Sequence, residues 1–97
     1  MYQFQFTREA KANLEGLKTD RSLEKRHKAV VKTLRLLAEN PRHPGLQTHK
    51  YVSLHGPNGE PVFEAYAEQN TPAAYRIFWF YGPGKASITV VAITPHP

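Results

Sequence analysis

An α+β fold is predicted for this chain, and three features of the sequence predict it. The run 74–81, Ala-Tyr-Arg-Ile-Phe-Trp-Phe-Tyr, is apolar or aromatic at seven of its eight positions. Such a run is too short for a free-standing helix and rich in strand formers. Residues 22–39 instead carry apolar side chains at the helical period of about 100° per residue. From residue 48 onward, strand-like segments follow one another on short turns, the pattern of an antiparallel meander. The predicted architecture is an N-terminal strand, an antiparallel two-helix hairpin, then a four-stranded antiparallel meander, with the helices packed on one face of the sheet.

Each element has a local reason. Tyr2, Phe4 and Phe6 alternate with Gln3, Gln5 and Thr7, which gives a half-buried strand with three aromatics on one face. Thr7 then serves as an N-cap, because its hydroxyl can accept an amide hydrogen bond. Ala10, Leu14 and Leu17 follow at helical spacing and predict a first helix over 8–18. Ser22 or Asp20 caps a second helix, with Glu24 placed favourably in its first turn. Its apolar side is Leu23, Val30, Val31, Leu34, Leu37 and Ala38, and Asn40-Pro41 ends it, since a residue before proline leaves the α region. So short a link between two helices predicts an antiparallel hairpin.

A second strand is predicted over about 48–54, with Val52 and Leu54 turned to the core. Asn58-Gly59 supplies the positive φ angles of a hairpin loop. Residues 62–68 form the third strand and 74–81 the fourth. A strand apolar on both faces is central, with material packed on each side. Residues 87–94 form the last strand. The first strand adds at an edge or pairs with the last.

At 97 residues the chain is one domain, 1–97, long enough to bury a core without staples. It has no Cys, hence no disulfide framework and no thiolate metal site, which fits a reducing, cytoplasmic compartment. The five His show no paired ligand spacing, so no metal or other cofactor is expected. Neither a secretion signal nor a membrane-length apolar run is present. The balance of 13 basic to 8 acidic residues, net +5, suits a polyanion or an acidic partner protein.

Arg76 is the only charge in the apolar run and shares its face with Phe78 and Phe80. A buried, unpaired guanidinium is costly, so Arg76 must reach water or a partner. It either faces a site or pairs with Glu64 or Glu68 on the neighbouring strand. Lys25, Lys28, Lys32 and Arg35 make a basic helical stripe that suits an RNA backbone, or is simply solvated. Tyr51, Tyr66 and Tyr81 are candidates for stacking on bases, or for packing with a wet hydroxyl.

Five segments together narrow the fold: Phe4-x-Phe6-x-x-x-Ala10, Leu36-Leu-Ala-Glu-Asn-Pro-Arg42, Leu46-Gln-Thr-His-Lys50, Tyr75-Arg-Ile-Phe78 and Thr94-Pro-His96. In this succession the chain resembles the RelE/ParE toxin superfamily of type II toxin–antitoxin systems. Members resembling RelE or YoeB bind the ribosomal A site and cut mRNA, and members of the ParE branch poison DNA gyrase. The resemblance therefore implies a toxin with a cognate antitoxin as partner, acting on ribosome and mRNA or, alternatively, on gyrase, or else an inactive relative that only binds its antitoxin.

It implies a phosphate-contacting role for Arg76, an acid–base role for His96, and a basic helper in Lys50 with His49 beside it on RNA. Glu64 has a carboxylate of YoeB as its nearest analogue and is a candidate general base, the alternative being a cross-strand ion pair with a Lys or Arg. Metal-free RNA cleavage needs such a set: a base for the 2′-hydroxyl, a cation for the phosphate and an acid for the leaving oxygen. Two departures stand out. Relatives often carry Arg where this chain has Glu64, and RelE has an Arg and a Tyr beyond the position of His96 that find no counterpart in this sequence.

Overall fold

The computed structural model describes residues 1–96. The elements are β1 (Gln3–Phe6), α1 (Arg8–Thr19), α2 (Glu24–Glu39), β2 (His49–His55), β3 (Pro61–Tyr66), β4 (Tyr75–Tyr81) and β5 (Ser87–Pro95), with single 3-10 turns at Arg21–Leu23 and Pro44–Leu46. They form one five-stranded sheet in the order β1-β5-β4-β3-β2. β4 is thus the middle strand, as its composition requires. β1 pairs parallel with β5, and the other neighbours are antiparallel.

Local chemistry starts each helix. Thr7 Oγ1 accepts from the Ala10 amide at 3.0 Å and donates to the Val91 carbonyl at 2.6 Å, so one hydroxyl caps α1 and ties it to β5. Asp20, not Ser22, takes the next cap: its carboxylate accepts from the Ser22 amide and hydroxyl. That cap opens the 3-10 turn, and α2 itself begins without a side-chain cap.

The helices cover one face of the sheet. Ala10, Leu17, Val30, Leu34 and Leu37 pack there on Ala65, Ile77, Trp79, Ile88, Val90 and Ile93. Fully burying an aliphatic or aromatic side chain of this size contributes about 1.5–3 kcal/mol, so this layer dominates stability. Among the described residues, the other face carries no second layer. Phe78 and Phe80 are nonetheless buried there, by Val62, Ala92, Tyr51 and Val91 beside them. Bulky flanking side chains on the same face, rather than packing on each side, keep the middle strand dry.

The expected inward direction of Val52 and Leu54 is not found. Val52 is 79% exposed and Leu54 is exposed as well. β2 is the sheet's edge, and its pairing with β3 slips between Lys50 and His55. The helices lie over the middle of the sheet and do not reach that edge, so the alternation of β2 has no core to meet.

β5 contains a register irregularity that re-aims its C-terminal end. Phe78 pairs with Ala92 but Trp79 pairs with Val90, which leaves Val91 as an extra residue. A bulge of one residue flips the side-chain alternation beyond it. Ile88 and Val90 face the helices before the bulge and Ile93 faces them after it, which puts Ala92, Thr94 and His96 on the open face. The Asn13 carboxamide accepts from the Ile93 amide at 2.9 Å and holds the strand just past the bulge.

Candidate active site

On the open face, three strands and the end of a fourth bring four polar side chains to one point. Glu64 on β3 is opposite His49 on β2 and Phe78 on β4. Arg76 is opposite Tyr66 and Thr94. Alternation therefore lines up His49, Glu64, Tyr66 and Arg76 on the same side of the sheet. His96 joins them because the β4–β5 ladder runs on past Pro95: the His96 amide donates to the Ala74 carbonyl at 3.1 Å. Its neighbour Pro97 lies outside the described residues.

Glu64 is the centre of the cluster and its side chain is 0% exposed. A buried carboxylate is tolerated only when paired. His96 Nδ1 sits on Glu64 Oε2 within hydrogen-bond reach. His49 Nε2 lies 2.7 Å from Oε1, in ion-pair range but off the line of a hydrogen bond, so Oε1 has no hydrogen-bond partner among the described residues. Arg76 Nε is 3.8 Å from Oε2, an electrostatic contact too long to be a hydrogen bond. The two imidazoles are half exposed, at 48% and 50%, whereas Arg76 is 12% exposed. The groups that meet solvent are thus the rings, and the carboxylate beneath holds them.

Arg76 is fixed from three sides. Its Nη1 donates to the Glu68 carbonyl at 2.8 Å and to the Tyr75 carbonyl at 3.3 Å. Its guanidinium stacks over the Tyr66 ring at 3.7 Å from the centroid. Arg76 Nε has no hydrogen-bond partner among the described residues. The two sequence alternatives for Arg76 both have a structural counterpart: it faces a polar cluster, and it contacts Glu64 and the backbone of Glu68. The Glu68 carboxylate is engaged elsewhere, accepting from Arg26 Nε at 2.9 Å and from the Tyr75 amide at 3.0 Å.

His49 has a second anchor, its Nδ1 lying 3.2 Å from the Gln47 carbonyl. Gln47 adopts a left-handed backbone, and its side chain bonds Gln69 at 2.8 Å, which fixes the approach to β2. Tyr66 is shared between its neighbours, with the His49 ring edge-on at 5.7 Å on one side and Arg76 on the other.

Lys50 does not join this cluster. It pairs with Phe63, whose side chain belongs to the helix-side core, so alternation sends Lys50 to the opposite face from Glu64. Lys25, Lys28, Lys32 and Arg35 are all exposed on α2, on the helical layer behind the sheet. Lys28 pairs there with Glu24 at 3.4 Å, a surface contact of the ordinary kind. A ligand on the open face does not touch this stripe. Tyr51 packs edge-on against Phe78, and Tyr81 lies in an aromatic group with Tyr2, Phe63 and Trp79 on the helix side.

Two contacts had no separate signal in the sequence. The placement of His49 on Glu64 follows only from the strand register, and that of His96 only from the bulge at Val91. Among the described residues, no three His, Cys, Asp or Glu side chains are arranged to hold a metal ion. The chemistry available here is proton transfer by imidazole beside a fixed cation.

No family model matches the sequence. No curated protein matches it either. Solved structures do. The RelE–RelB complex of the archaeon Pyrococcus horikoshii OT3 aligns with a TM-score of 0.64 at 13% identity, over 97% of this chain and 93% of that one. The intact Escherichia coli RelBE toxin–antitoxin complex aligns with a TM-score of 0.62 at 15% identity, over 100% of this chain and 99% of that one. At such identities the likeness is one of architecture, and it agrees with the element order, the sheet and the two-helix layer described above: this chain has a RelE-like fold.

Proposed function

We propose that this chain is the toxin of a toxin–antitoxin pair and that it cleaves RNA without a metal ion, on ribosome-bound mRNA. The observation that carries this reading is the cluster on the open face: a fully buried Glu64 with two half-exposed imidazoles and a fixed guanidinium gathered on it. Buried charge of this kind costs stability unless it is fully satisfied. A fold that retains it at an uncovered surface, with Arg76 Nε lacking a hydrogen-bond partner among the described residues, has the features of a reactive site rather than a structural one.

The roles follow from position. Arg76 is a permanent cation whose place is set before substrate arrives, as stabilisation of a developing phosphorane charge requires. His96 and His49 are the groups able to exchange protons with a substrate. Such a toxin would act in the cytoplasm and be held in check by an antitoxin, as the RelE-like folds in the two solved complexes are bound by RelB. The net charge of +5 favours an acidic antitoxin segment.

The test is cleavage of ribosome-bound mRNA by purified chain in the presence of chelator. Cutting that is lost in His96→Ala and Arg76→Ala supports the reading. One observation favours a second reading, a binding protein of the gyrase-inhibitor or inactive kind: Arg76 Nη1 is engaged by two backbone carbonyls and the side chain is only 12% exposed. DNA damage with intact mRNA on expression would establish a gyrase target, and absence of toxicity an inactive relative.

A further inference from the structure

We propose that Glu64 does not act on RNA itself but sets the tautomer of His96, and that His49, on the other oxygen of the same carboxylate, is the second proton-transfer group. The proposal rests on the RNA-cleaving reading and assigns its acid and base. Its geometric ground is exposure. Glu64 is 0% exposed, so its oxygens are out of reach of a 2′-hydroxyl, whereas the rings standing on them are about half exposed, at 48% and 50%.

Glu64 meets His96 at Nδ1. A carboxylate there favours the tautomer with the proton on Nδ1, which leaves a lone pair on Nε2, the outward nitrogen. His96 is then built as a base. His49 is built as the complement. Both of its nitrogens face acceptors, Nε2 the Glu64 carboxylate at 2.7 Å and Nδ1 the Gln47 carbonyl at 3.2 Å. In the proposed acid role His49 carries a proton on each nitrogen: the one on Nδ1 faces the Gln47 carbonyl, and the one on Nε2, beside Oε1 but off the hydrogen-bond line to it, is not tied into the protein.

His96 Nε2 takes the proton of the 2′-hydroxyl while the 2′-oxygen forms its bond to phosphorus. The bond from phosphorus to the 5′-oxygen breaks, and that oxygen takes the Nε2 proton of His49. The products are a 2′,3′-cyclic phosphate and a 5′-hydroxyl. His96 leaves the step protonated and His49 neutral, and exchange with solvent restores both. Arg76 beside them stabilises the charge on the phosphoryl oxygens. Glu64 is a positioning residue, while His49 and His96 are catalytic.

Two measurements test this on the intact chain. The first is the nitrogen chemical shift of each imidazole, read in long-range proton–nitrogen correlation spectra. Neutral His96 is expected in the Nδ1–H form in the wild type, and to lose that bias in Glu64→Gln. A neutral His96 in the Nε2–H form, or one indifferent to Glu64→Gln, overturns the proposal. The second is single-turnover cleavage of ribosome-bound mRNA. His49→Ala and His96→Ala are each expected to lower the cleavage rate by about 100-fold or more with substrate affinity little changed, and Glu64→Gln to retain more activity than His96→Ala.

Full activity in a folded His49→Ala variant overturns the role of His49 and leaves the RNA-cleaving reading standing. Glu64→Gln as inactive as His96→Ala, with the His96 tautomer unchanged, makes Glu64 the base and overturns its positioning role. A wild-type chain that cuts no RNA overturns the parent reading and this assignment together.

Discussion

Glu64 and His96 meet on the open face of the sheet although 32 residues separate them in the chain. A single extra residue, Val91, makes the meeting possible, because it reverses the alternation of β5 between Val90 and Ala92. Without it, His96 would share the face of Ile88 and Val90 and point into the helical layer. The contact stabilises as well as organises. Glu64→Ala would leave Arg76, 12% exposed, without its buried counter-charge. We expect a loss of roughly 3 kcal/mol in urea unfolding, with Glu64→Gln losing less.

The two faces of the sheet should respond unequally to truncation. Ile77 is 0% exposed in the middle of the helix-side core, and Ile77→Ala should cost about 2–5 kcal/mol. Val52 is 79% exposed, and Val52→Ser should change stability by no more than about 0.5 kcal/mol. Denaturant midpoints of the two variants check the contrast. A large loss in Val52→Ser would mean that the edge strand is covered.

Thr7 performs two tasks with one hydroxyl, capping α1 and bonding the Val91 carbonyl. Thr7→Ala should therefore fall at the upper end of the usual capping range, about 2 kcal/mol, whereas Thr7→Ser should fall well below it. Because Val91 is the bulge residue, Thr7→Ala should also disturb the His96 resonances, although Thr7 follows β1 at the opposite edge of the sheet from β2.

Tyr81 gives a pH-dependent prediction. Burial raises its phenol above the usual 10.0, the neighbouring Tyr2 adds to the rise, and Arg42 opposes it. The folded state thus keeps this proton when the unfolded chain has begun to lose it. Its contribution to stability is present below about pH 10 and is lost as pH rises through the higher folded value. In ultraviolet titration the Tyr81 phenolate should form late, and Arg42→Ala should move it later still. A shift to lower pH in that variant would contradict the assignment.

The sequence made most of the fold legible because each element carries its own period or cap. The middle position of β4 followed from its composition, and the start of α1 followed from Thr7. What stayed hidden depended on relations between elements. Val52 and Leu54 alternate as core residues do, but their strand lies at an edge beyond the helices. Lys50 and His49 are adjacent in sequence and belong to opposite faces, and only the pairing of His49 with Glu64 says which face holds the cluster. No pattern in 87–95 announces a bulge, so the face of His96 was not legible from alternation. Arg76 was legible as the odd charge in an apolar strand, whereas its seat on Tyr66 came from the cross-strand register.

The most direct test of the central claim, that the Glu64 cluster cuts RNA, is incubation of the purified chain with ribosomes carrying a defined mRNA in the presence of EDTA. The account predicts discrete cuts ending in a 2′,3′-cyclic phosphate and a 5′-hydroxyl, slowed about 100-fold or more in folded His96→Ala. Intact mRNA with the folded wild type, or cuts unaffected by His96→Ala, would contradict it.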